Sequence, residues 1–343
     1  MAAHGIDPPL DRLGRPVSDL RISVTDRCNF RCTFCMPAHQ KYRFLPKPQI
    51  LTFEETVRLA RLFVGLGVRK IRLTGGEPLL RAQIDTLVAS LASIDGVDDL
   101  ALTTNAFLLP KMATRLRDAG LDRVTVSLHS LDPERFGKIN GLDLPLARVL
   151  EGIDAAVDAG LGPVKLNVVV MQGTNDDEIV DLARYARDHG CVVRFIEYMD
   201  VGTVNAWDPH RVVSAGQILE RIDAVFPLEA VHRERPGDVA DRYRYRDGGG
   251  EVGVIPSVTQ PFCGDCSRAR LSAEGKVYTC LFAAVGHDLK TPLRAGEDDG
   301  ALTRRLADLW ARRTDRYSEE RTEALRAGRF VPADKVEMFR IGG

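Results

Sequence analysis

The fold is decided by the stretch LRISVTDRCNFRCTFC, residues 20–35, in which an apolar run leads directly into three cysteines. Alternation over Leu20–Thr25 predicts a buried strand. Cys28, Cys32 and Cys35 then follow with C-x3-C-x2-C spacing. A four-iron cluster is usually held by four thiolates. Three thiolates from one loop leave one iron open for an exchangeable ligand, which favours chemistry over electron storage.

A zinc site is the alternative for this loop, with His39 as the fourth ligand of a Cys3His set. The spacing leaves this alternative open. The position of the loop, directly after a predicted strand, favours iron over a zinc knuckle.

The composition is that of a globular protein. The chain has 343 residues, 44% hydrophobic and 28% charged, with a formal net charge of -1. Nothing in this balance favours broad binding to nucleic acid or to membranes. We found no signal peptide at the N-terminus and no apolar run near the ~20 residues of a membrane helix. Clustered cysteines, odd in number, fit metal ligation in a reducing compartment. A cytoplasmic protein is predicted.

Strand-like and helix-like segments alternate over the first two thirds of the chain. The predicted strands are Leu20–Thr25, Lys70–Thr74, Leu100–Thr104, Arg123–Leu128, Val164–Met171 and Val192–Tyr198. Helix starts are predicted at Thr52 and Ser214 by capping boxes, and at Asn175 by a similar pattern with Glu178. Alternating elements of this kind predict an α/β fold with a parallel sheet, either an incomplete (β/α)6 TIM-like barrel or a doubly wound sheet.

The pattern changes near Pro227, where polar and Gly-rich segments replace the alternation. We therefore predict a partial barrel over residues 1–227, with residues 1–18 as an N-terminal arm. A smaller C-terminal domain is predicted over residues 228–343.

Unusual residues follow each predicted strand. They are the first cysteine triplet, Gly75-Gly76-Glu77-Pro78, Thr103-Thr104-Asn105, Ser127-Leu128-His129-Ser130, Met171-Gln172-Gly173 and Tyr198-Met199-Asp200. In parallel α/β folds the site lies at the carboxyl ends of the strands. One shared pocket is therefore predicted.

A second cysteine triplet lies in the C-terminal third. Cys263, Cys266 and Cys280 have C-x2-C-x13-C spacing. A second four-iron cluster, again one ligand short, is favoured, and a zinc ribbon that recruits His287 is the alternative. Two incomplete clusters would bring two small molecules into contact with iron.

Several basic residues occupy positions where surface charge is not expected. Arg21, Arg72 and Lys165 lie in predicted strands, and Arg268 and Arg270 follow the second cysteine pair. Buried cations are rare unless they are paired with anions. Their convergence on one cavity would suit a polyphosphate, which guanidinium groups bind bidentately.

Together these segments resemble the GTP 3′,8-cyclase family of radical S-adenosylmethionine (SAM) enzymes, which opens molybdenum cofactor biosynthesis. The resemblance covers about residues 19–343. It rests on DLRISVT and RLTGGEP, on both cysteine triplets, on Arg268-x-Arg270 and on the terminal Gly-Gly pair. Phe34 departs from it, because close relatives often carry tyrosine there.

The resemblance implies roles for particular residues. Each triplet would hold a [4Fe-4S] cluster, the first chelated by SAM and the second touching guanine. The contacts to SAM would come from Phe34, Gly76, Glu77, Ser127 and Met199. The contacts to GTP would come from Arg21, Arg72, Thr103, Lys165, Arg268 and Arg270. A Gly-Gly tail reaches into the active site in this family.

The resemblance also implies the reaction. SAM would be cleaved to methionine and a 5′-deoxyadenosyl radical, which abstracts the ribose 3′ hydrogen of GTP. Attack of the carbon radical on guanine C8 would give 3′,8-cyclo-7,8-dihydro-GTP. The implied partners are an electron donor of flavodoxin or ferredoxin type, the next enzyme, cyclic pyranopterin monophosphate synthase, and a second copy in a homodimer.

Two other functions stay open at this point. One is a peptide-modifying radical SAM enzyme with an auxiliary cluster, which typically carries more C-terminal cysteines. The other is a structural protein that binds zinc or iron–sulfur. Iron and sulfide analysis separates them, because two four-iron clusters require about eight irons per chain.

Overall fold

A single twelve-stranded sheet organises the molecule, seen in a computed structural model that describes residues 8–232 and 237–342. The strands are β1 (Asp19–Ser23), β2 (Lys70–Thr74), β3 (Asp99–Thr104), β4 (Arg123–Ser127), β5 (Lys165–Val170), β6 (Val192–Glu197), β7 (Leu228–Val231), β8 (Asp241–Tyr245), β9 (Glu251–Ile255), β10 (Arg268–Leu271), β11 (Lys276–Tyr278) and β12 (His287–Asp288). All six predicted strands are confirmed, with ends that shift by one or two residues.

Helices follow the parallel strands, as the alternation predicts. They are α1 (Phe53–Gly65), α2 (Ile84–Ala92), α3 (Ala113–Asp118), α4 (Pro133–Asn140), α5 (Leu146–Asp158), α6 (Ile179–Asp188), α7 (Ala215–Asp223), α8 (Lys290–Arg294), α9 (Asp299–Ala311), α10 (Tyr317–Arg326) and α11 (Met338–Ile341). None of the helices in the described ranges is long and apolar enough to cross a bilayer.

The capping predictions hold at two helices and fail at a third. Thr52 and Ser214 each form a complete capping box, with Glu55 and Gln217 respectively. A helical segment begins directly after Asn175, as predicted, but the Asn175 side chain makes no capping hydrogen bond. This side chain accepts a hydrogen bond from Met171 N–H and donates to the carbonyls of His129 and Val169. Asn175 therefore joins two strand ends instead of capping a helix.

The strand order shows how the sheet is built. Strands β1 to β6 are parallel and adjacent in chain order, with β10 parallel to β1 at one edge and β9 parallel to β6 at the other. A doubly wound sheet reverses its strand order, and no reversal occurs between β1 and β6. The short antiparallel strands extend both edges.

Alternation along each strand separates an apolar face from a polar one. In β5, Leu166, Val168 and Val170 are fully buried, whereas Lys165 and Asn167 border a cavity on the other face. The buried face packs under amphipathic helices such as α6. Burying this apolar face stabilises the fold by about 25 cal/mol per Å² of apolar surface. Because side chains alternate between the two faces of a strand, burial of the apolar residues also decides which residues point into the cavity.

The segment 256–267 crosses between the two outer strands of the parallel part of the sheet, because it joins β9 to β10. Its first end is held by Glu197, which accepts hydrogen bonds from the N–H groups of Val258 and Thr259 at 2.7 and 2.8 Å. Cys263 and Cys266 lie in this segment. The crossing therefore carries the second cysteine pair to the β1 side of the sheet.

Candidate active site

A cavity of about 1060 Å³ lies against the parallel strands. Every residue that the sequence analysis assigned to the site lines this cavity. They are Arg21, Cys28, Cys32, Phe34, Cys35, Arg72, Gly76, Glu77, Thr103, Ser127, Lys165, Met199, Cys263, Cys266, Arg268, Arg270 and Cys280. Both cysteine triplets therefore face one chamber.

One strand-end motif does not reach the cavity. Met171 is buried in a small cluster with Phe34, Ile139 and Tyr198, while Gln172 and Gly173 are exposed. The expectation that all six motifs share the pocket is wrong for this one, because Met171 packs beneath Phe34 and supports the cavity wall from behind.

Asp200, at the end of the β6 motif, is a structural residue. It is buried and forms ion pairs with Arg321, at 2.6 Å, and with Lys335. Tyr317 also donates a hydrogen bond to it. These partners come from α10 and the C-terminal segment, so Asp200 attaches the end of the chain to the sheet.

The first cysteine loop is held by the C-terminus of α4. The N–H groups of Arg31 and Thr33 donate to the carbonyls of Asn140 and Ile139 at 2.7 and 3.0 Å. Gly141 ends α4 with φ = 69°, and a Cβ there would collide with the carbonyl oxygen of Arg31. The loop therefore needs glycine at this position.

The glycine pair after β2 allows two loops to touch through their backbones. A Cβ on Gly75 or Gly76 would collide with the carbonyl oxygens of Thr25 or Arg27. The N–H groups of Gly76 and Glu77 donate to these same carbonyls at 2.8 Å. Gly75-Gly76 thus fixes the approach of the cysteine loop to the next strand end.

Glu77 is fully enclosed and strongly hydrogen-bonded. Its carboxylate accepts from Thr104 Oγ1 at 2.7 Å, from Leu79 N–H at 3.0 Å and from Asn105 N–H at 2.8 Å. Burial raises its pKa to about 7, against the effect of these donors. A carboxylate has about four acceptor sites, so one remains for a cationic ligand group in the cavity.

The three thiols of the first loop are suited to a cationic metal centre. All seven cysteines are free, and burial, followed by the nearby Glu77, raises the pKa of Cys28 to about 12. Burial also raises the pKa values of Cys32 and Cys35. Thiols of this kind release their protons when a metal binds, and the metal then supplies the compensating positive charge. Phe30 N–H donates to Cys28 Sγ at 3.4 Å.

The second triplet has a different electrostatic environment. Burial of Cys266 is outweighed by Arg268 and Arg313, which lower its pKa to about 6. Arg268 donates to Cys266 Sγ at 3.2 Å. Burial raises the pKa of Cys280 to about 11, and Phe282 N–H donates to its Sγ at 3.5 Å. These thiols also fit a metal–sulfur centre, because hydrogen bonds to sulfur tune such centres.

The histidines of the zinc alternatives lie away from the chamber. His39 and His287 are exposed, and neither borders the cavity. Across residues 8–232 and 237–342, no three His, Cys, Asp or Glu side chains converge as a single ion such as zinc requires, whereas in a four-iron cluster each thiolate binds a different iron.

Three arginines stand side by side on adjacent strands. Arg270 of β10 pairs in register with Arg21 of β1, which pairs with Arg72 of β2. We call Arg270, Arg21 and Arg72 the arginine row. Within the described part of the chain, none of them forms an ion pair with a carboxylate. Burial, followed by Arg21 and Arg123, lowers the pKa of Arg72 to about 10.

Lys165 and Arg194 extend this positive charge on β5 and β6. Burial and the neighbouring Arg194 and Arg123 lower the pKa of Lys165 to about 7. Arg194 donates to Asn167 Oδ1 at 3.0 Å. Sequence reasoning missed Arg194, although its alternation with Val193 and Phe195 places it on the same face as the cavity residues of β6.

The other contacts of the row are neutral. Arg72 donates to the hydroxyls of Thr103 and Thr125 at 3.2 and 3.0 Å. Arg270 donates to the carbonyl of Gly342, so the C-terminal segment reaches the cavity wall. Gly343 lies outside the described residues. The cavity is also bordered, at and beyond the carboxyl ends of the strands, by Ser127, Met199 and Phe34.

A buried ion network anchors the second cysteine pair, and no sequence signal pointed to it. Asp11 contacts Arg15 at 2.6 Å and Arg313 at 3.2 Å, with all three side chains nearly inaccessible. Arg15 donates to the carbonyl of Cys263 and Arg313 to that of Cys266, both at 2.6 Å. The N-terminal arm therefore holds this cysteine loop.

Comparison with known proteins defines the class first. The model of the radical SAM superfamily matches residues 22–186, and the model described as Molybdenum Cofactor Synthesis C matches residues 191–319. The SAM-bound Streptococcus suis protein SuiB has a TM-score of 0.60 at 14% identity, over 86% of this chain and 65% of its own. This likeness is one of fold. The chain is thus a radical SAM protein with a SAM-dependent four-iron centre.

Sequence relatives then define the family. A GTP 3′,8-cyclase of Acidothermus cellulolyticus is 55% identical over 92% of this chain and 89% of its own length. One from Xanthomonas axonopodis pv. citri is 50% identical over 98% and 99%. The chain belongs to the GTP 3′,8-cyclase family.

The contact between Gly141 and the first cysteine loop leads to a testable prediction. Gly141→Ala should lower the iron and sulfide bound after anaerobic reconstitution, because the new Cβ displaces Arg31 and the loop with it. Gly160→Ala is the matched control, since Gly160 has a similar φ of 71° but no atom near its Cβ. The left-handed backbone should cost each variant roughly 1–2 kcal/mol of stability, and Gly141→Ala should lose more because of the added collision. Equal iron in the two variants would contradict the prediction.

The Asp11 network leads to a second prediction. Asp11→Asn should destabilise the protein by about 3–5 kcal/mol, because it leaves Arg15 buried without an anion and leaves Arg313 with Asp315 alone. In the metal-free protein, alkylation of Cys263 and Cys266, followed by peptide mass spectrometry, should become faster. Asp299→Asn removes the exposed ion-pair partner of Arg58 and should cost less than about 1 kcal/mol of stability. It should leave the alkylation rates of Cys263 and Cys266 unchanged. Unchanged alkylation in Asp11→Asn would refute the anchoring role.

Proposed function

We propose that this protein converts GTP to 3′,8-cyclo-7,8-dihydro-GTP, with Cys28, Cys32 and Cys35 holding one [4Fe-4S] cluster and Cys263, Cys266 and Cys280 holding a second. The observation that carries the proposal is the arginine row, which lies in the same cavity as both triplets. Buried cations without carboxylate partners need an external anion, and a triphosphate provides up to four negative charges.

The first centre, when bound with SAM, supplies a reductively generated carbon radical that can take a hydrogen atom. The protein contributes position and exclusion of water. Gly76 and the free acceptor site of Glu77 would receive the amine of SAM, while Phe34, Ser127 and Met199 would enclose its adenosyl part. Phe34 and Glu77 are themselves buried, so the reactive carbon would form away from bulk solvent.

The nucleotide would lie between the two centres. Arg21, Arg72, Thr103, Lys165, Arg268 and Arg270 would bind it, and Arg194 is added by its position. Charge-assisted hydrogen bonds fix the ribose against the SAM side, while the base faces the second triplet. The residues act by orientation, since hydrogen abstraction requires atoms held in near-contact.

The same proposal includes the shape of the sheet and the partners. Consecutive parallel strands that border one cavity support an incomplete (β/α)6 barrel, with a C-terminal domain after residue 227.

Seven free thiols support a reducing, cytoplasmic location. A flavodoxin- or ferredoxin-type donor would supply electrons. Cyclic pyranopterin monophosphate synthase would consume the product, and a homodimer is the proposed assembly.

The direct test is anaerobic reconstitution with GTP, SAM and dithionite, followed by mass analysis of the nucleotide and of 5′-deoxyadenosine. A cyclised nucleotide of unchanged mass but altered chromatographic behaviour is expected, together with about eight irons per chain. Consumption of SAM with unaltered GTP would favour a different substrate. Two zinc ions in place of iron would exclude the enzyme function.

Removal of Arg268 or Arg270 should separate radical formation from cyclisation. We expect Arg268→Ala and Arg270→Ala to lower cyclisation by about tenfold or more, because each removes a charged hydrogen bond worth roughly 1.5–3 kcal/mol. Uncoupled SAM cleavage should persist in both. Cyclisation at the rate of the unmodified protein in both variants would refute these assignments.

Lys165 should bind a proton together with GTP. Its pKa of about 7 leaves it mostly neutral at pH 8, and a bound polyphosphate would restore the charged form. Calorimetry at pH 8 in buffers of different ionisation enthalpy should show uptake of nearly one proton per GTP. Below pH 6 the uptake should vanish, because Lys165 is already charged there. Lys165→Arg should abolish the uptake at pH 8, since arginine stays protonated.

A further inference from the structure

The segment 37–49 covers the solvent side of the first cysteine loop. Leu45 N–H donates to Asp26 Oδ2 at 2.7 Å, and Tyr42 Oη donates to the carbonyl of Pro37 at 3.0 Å. The guanidinium carbons of Arg27 and Arg31 lie 5.6 and 6.0 Å from the centre of the Phe44 ring. The segment is thus folded onto the loop, whose cysteines face the cavity on the inner side.

This surface is positively charged and lacks acidic residues. From residue 27 to residue 53 the sequence contains no Asp or Glu, although the whole chain has a net charge of -1. The same stretch contains five cations. They are Arg27, Arg31, Lys41, Arg43 and Lys47, which we call the basic surface.

The cations of the basic surface are available to a partner. All except Arg31 are exposed, and none forms an ion pair with a carboxylate of the described residues. Arg31 is half-buried and donates to the carbonyls of Cys28 and Phe30 at 2.8 Å.

Two carboxylates that lie near this segment, Asp26 and Glu337, hydrogen-bond to neutral groups. Asp26 is buried beneath Leu45. Glu337 accepts hydrogen bonds from the N–H and hydroxyl groups of Thr203. Neither acid forms an ion pair with a cation of the basic surface.

A single exposed lysine is ordinarily a solvated group, but several charges of one sign create a field that steers an oppositely charged protein. The position of this field is informative. It lies directly over the loop whose cysteines would receive the electron that the reaction requires. Electron transfer falls steeply with distance, so a donor must approach this side of the molecule closely.

We propose that the basic surface docks an acidic one-electron carrier protein. This inference rests on the proposed function and identifies the face that its electron donor uses. The carrier, a reduced flavin or iron–sulfur protein, loses one electron, and the centre held by Cys28, Cys32 and Cys35 gains it. No bond forms or breaks in this step.

The test compares two reductants. Purified flavodoxin in its hydroquinone form must dock, whereas dithionite reaches the centre as a small ion. In Lys41→Glu/Arg43→Glu/Lys47→Glu, the KM for flavodoxin should rise by about tenfold or more, and its dependence on salt should weaken. Turnover driven by dithionite should stay unchanged, because these three residues do not border the cavity.

Two control variants accompany this experiment. Arg61→Glu/Lys111→Glu/Arg304→Glu makes the same change in charge at exposed positions elsewhere and should keep the KM for flavodoxin. Lys41→Arg/Arg43→Lys/Lys47→Arg keeps the charge of the basic surface and should behave like the unmodified protein. If charge reversal prevents folding, Lys41→Gln/Arg43→Gln/Lys47→Gln gives the same comparison, with a smaller rise in KM.

The outcomes separate the two proposals. An unchanged KM for flavodoxin and an unchanged salt dependence in the charge-reversed protein would overturn the docking surface. An equal rise in the control at distant positions would also overturn it, since the effect would then follow net charge. Absence of cyclised product with dithionite in the unmodified protein would instead refute the proposed function.

Discussion

The arginine row is the constraint on which the site depends. Arg270, Arg21 and Arg72 are held in register by backbone pairing between strands that lie about 4.8 Å apart. The apolar face of the same strands is buried under the helices, so the arginines cannot turn away without exposing the core. Asp19 and Asp99 offset their mutual repulsion only in part, because neither carboxylate forms an ion pair with an arginine of the row. An anion in the cavity would relieve it, and the fold is therefore prepared for a polyanionic ligand.

The crossing of residues 256–267 has the second essential role. It joins the two outer strands of the parallel part of the sheet and is attached at both ends by buried charges. Glu197 holds its start, while Arg15 and Arg313 hold the carbonyls of Cys263 and Cys266 near its end. The second cysteine pair is thereby brought opposite the first loop, although more than 200 residues separate them along the chain.

The two cysteine sets differ in the charge around them. Glu77 lies near Cys28, whereas Arg268 and Arg313 lie near Cys266. An acidic neighbour disfavours added electrons, and cationic neighbours favour them. The environments therefore separate the two proposed centres in how readily each accepts an electron. This separation agrees with distinct tasks, one toward SAM and one toward the nucleotide.

The sequence by itself determined the parallel α/β order, the six principal strands and every cysteine assigned to the site, because these depend on local periodicity and spacing. It also identified five of the eleven lysines and arginines that line the cavity, since a charge within an apolar strand is conspicuous. It did not reveal Arg194 as a cavity residue or the Asp11 network, and it misjudged the side-chain role of Asn175 and the position of Met171. Only the tertiary structure decided these, because register and long-range ion pairs join residues whose sequence separation leaves no local pattern. Which face a side chain meets depends on the packing of the whole sheet, and that packing is a property of all the strands together.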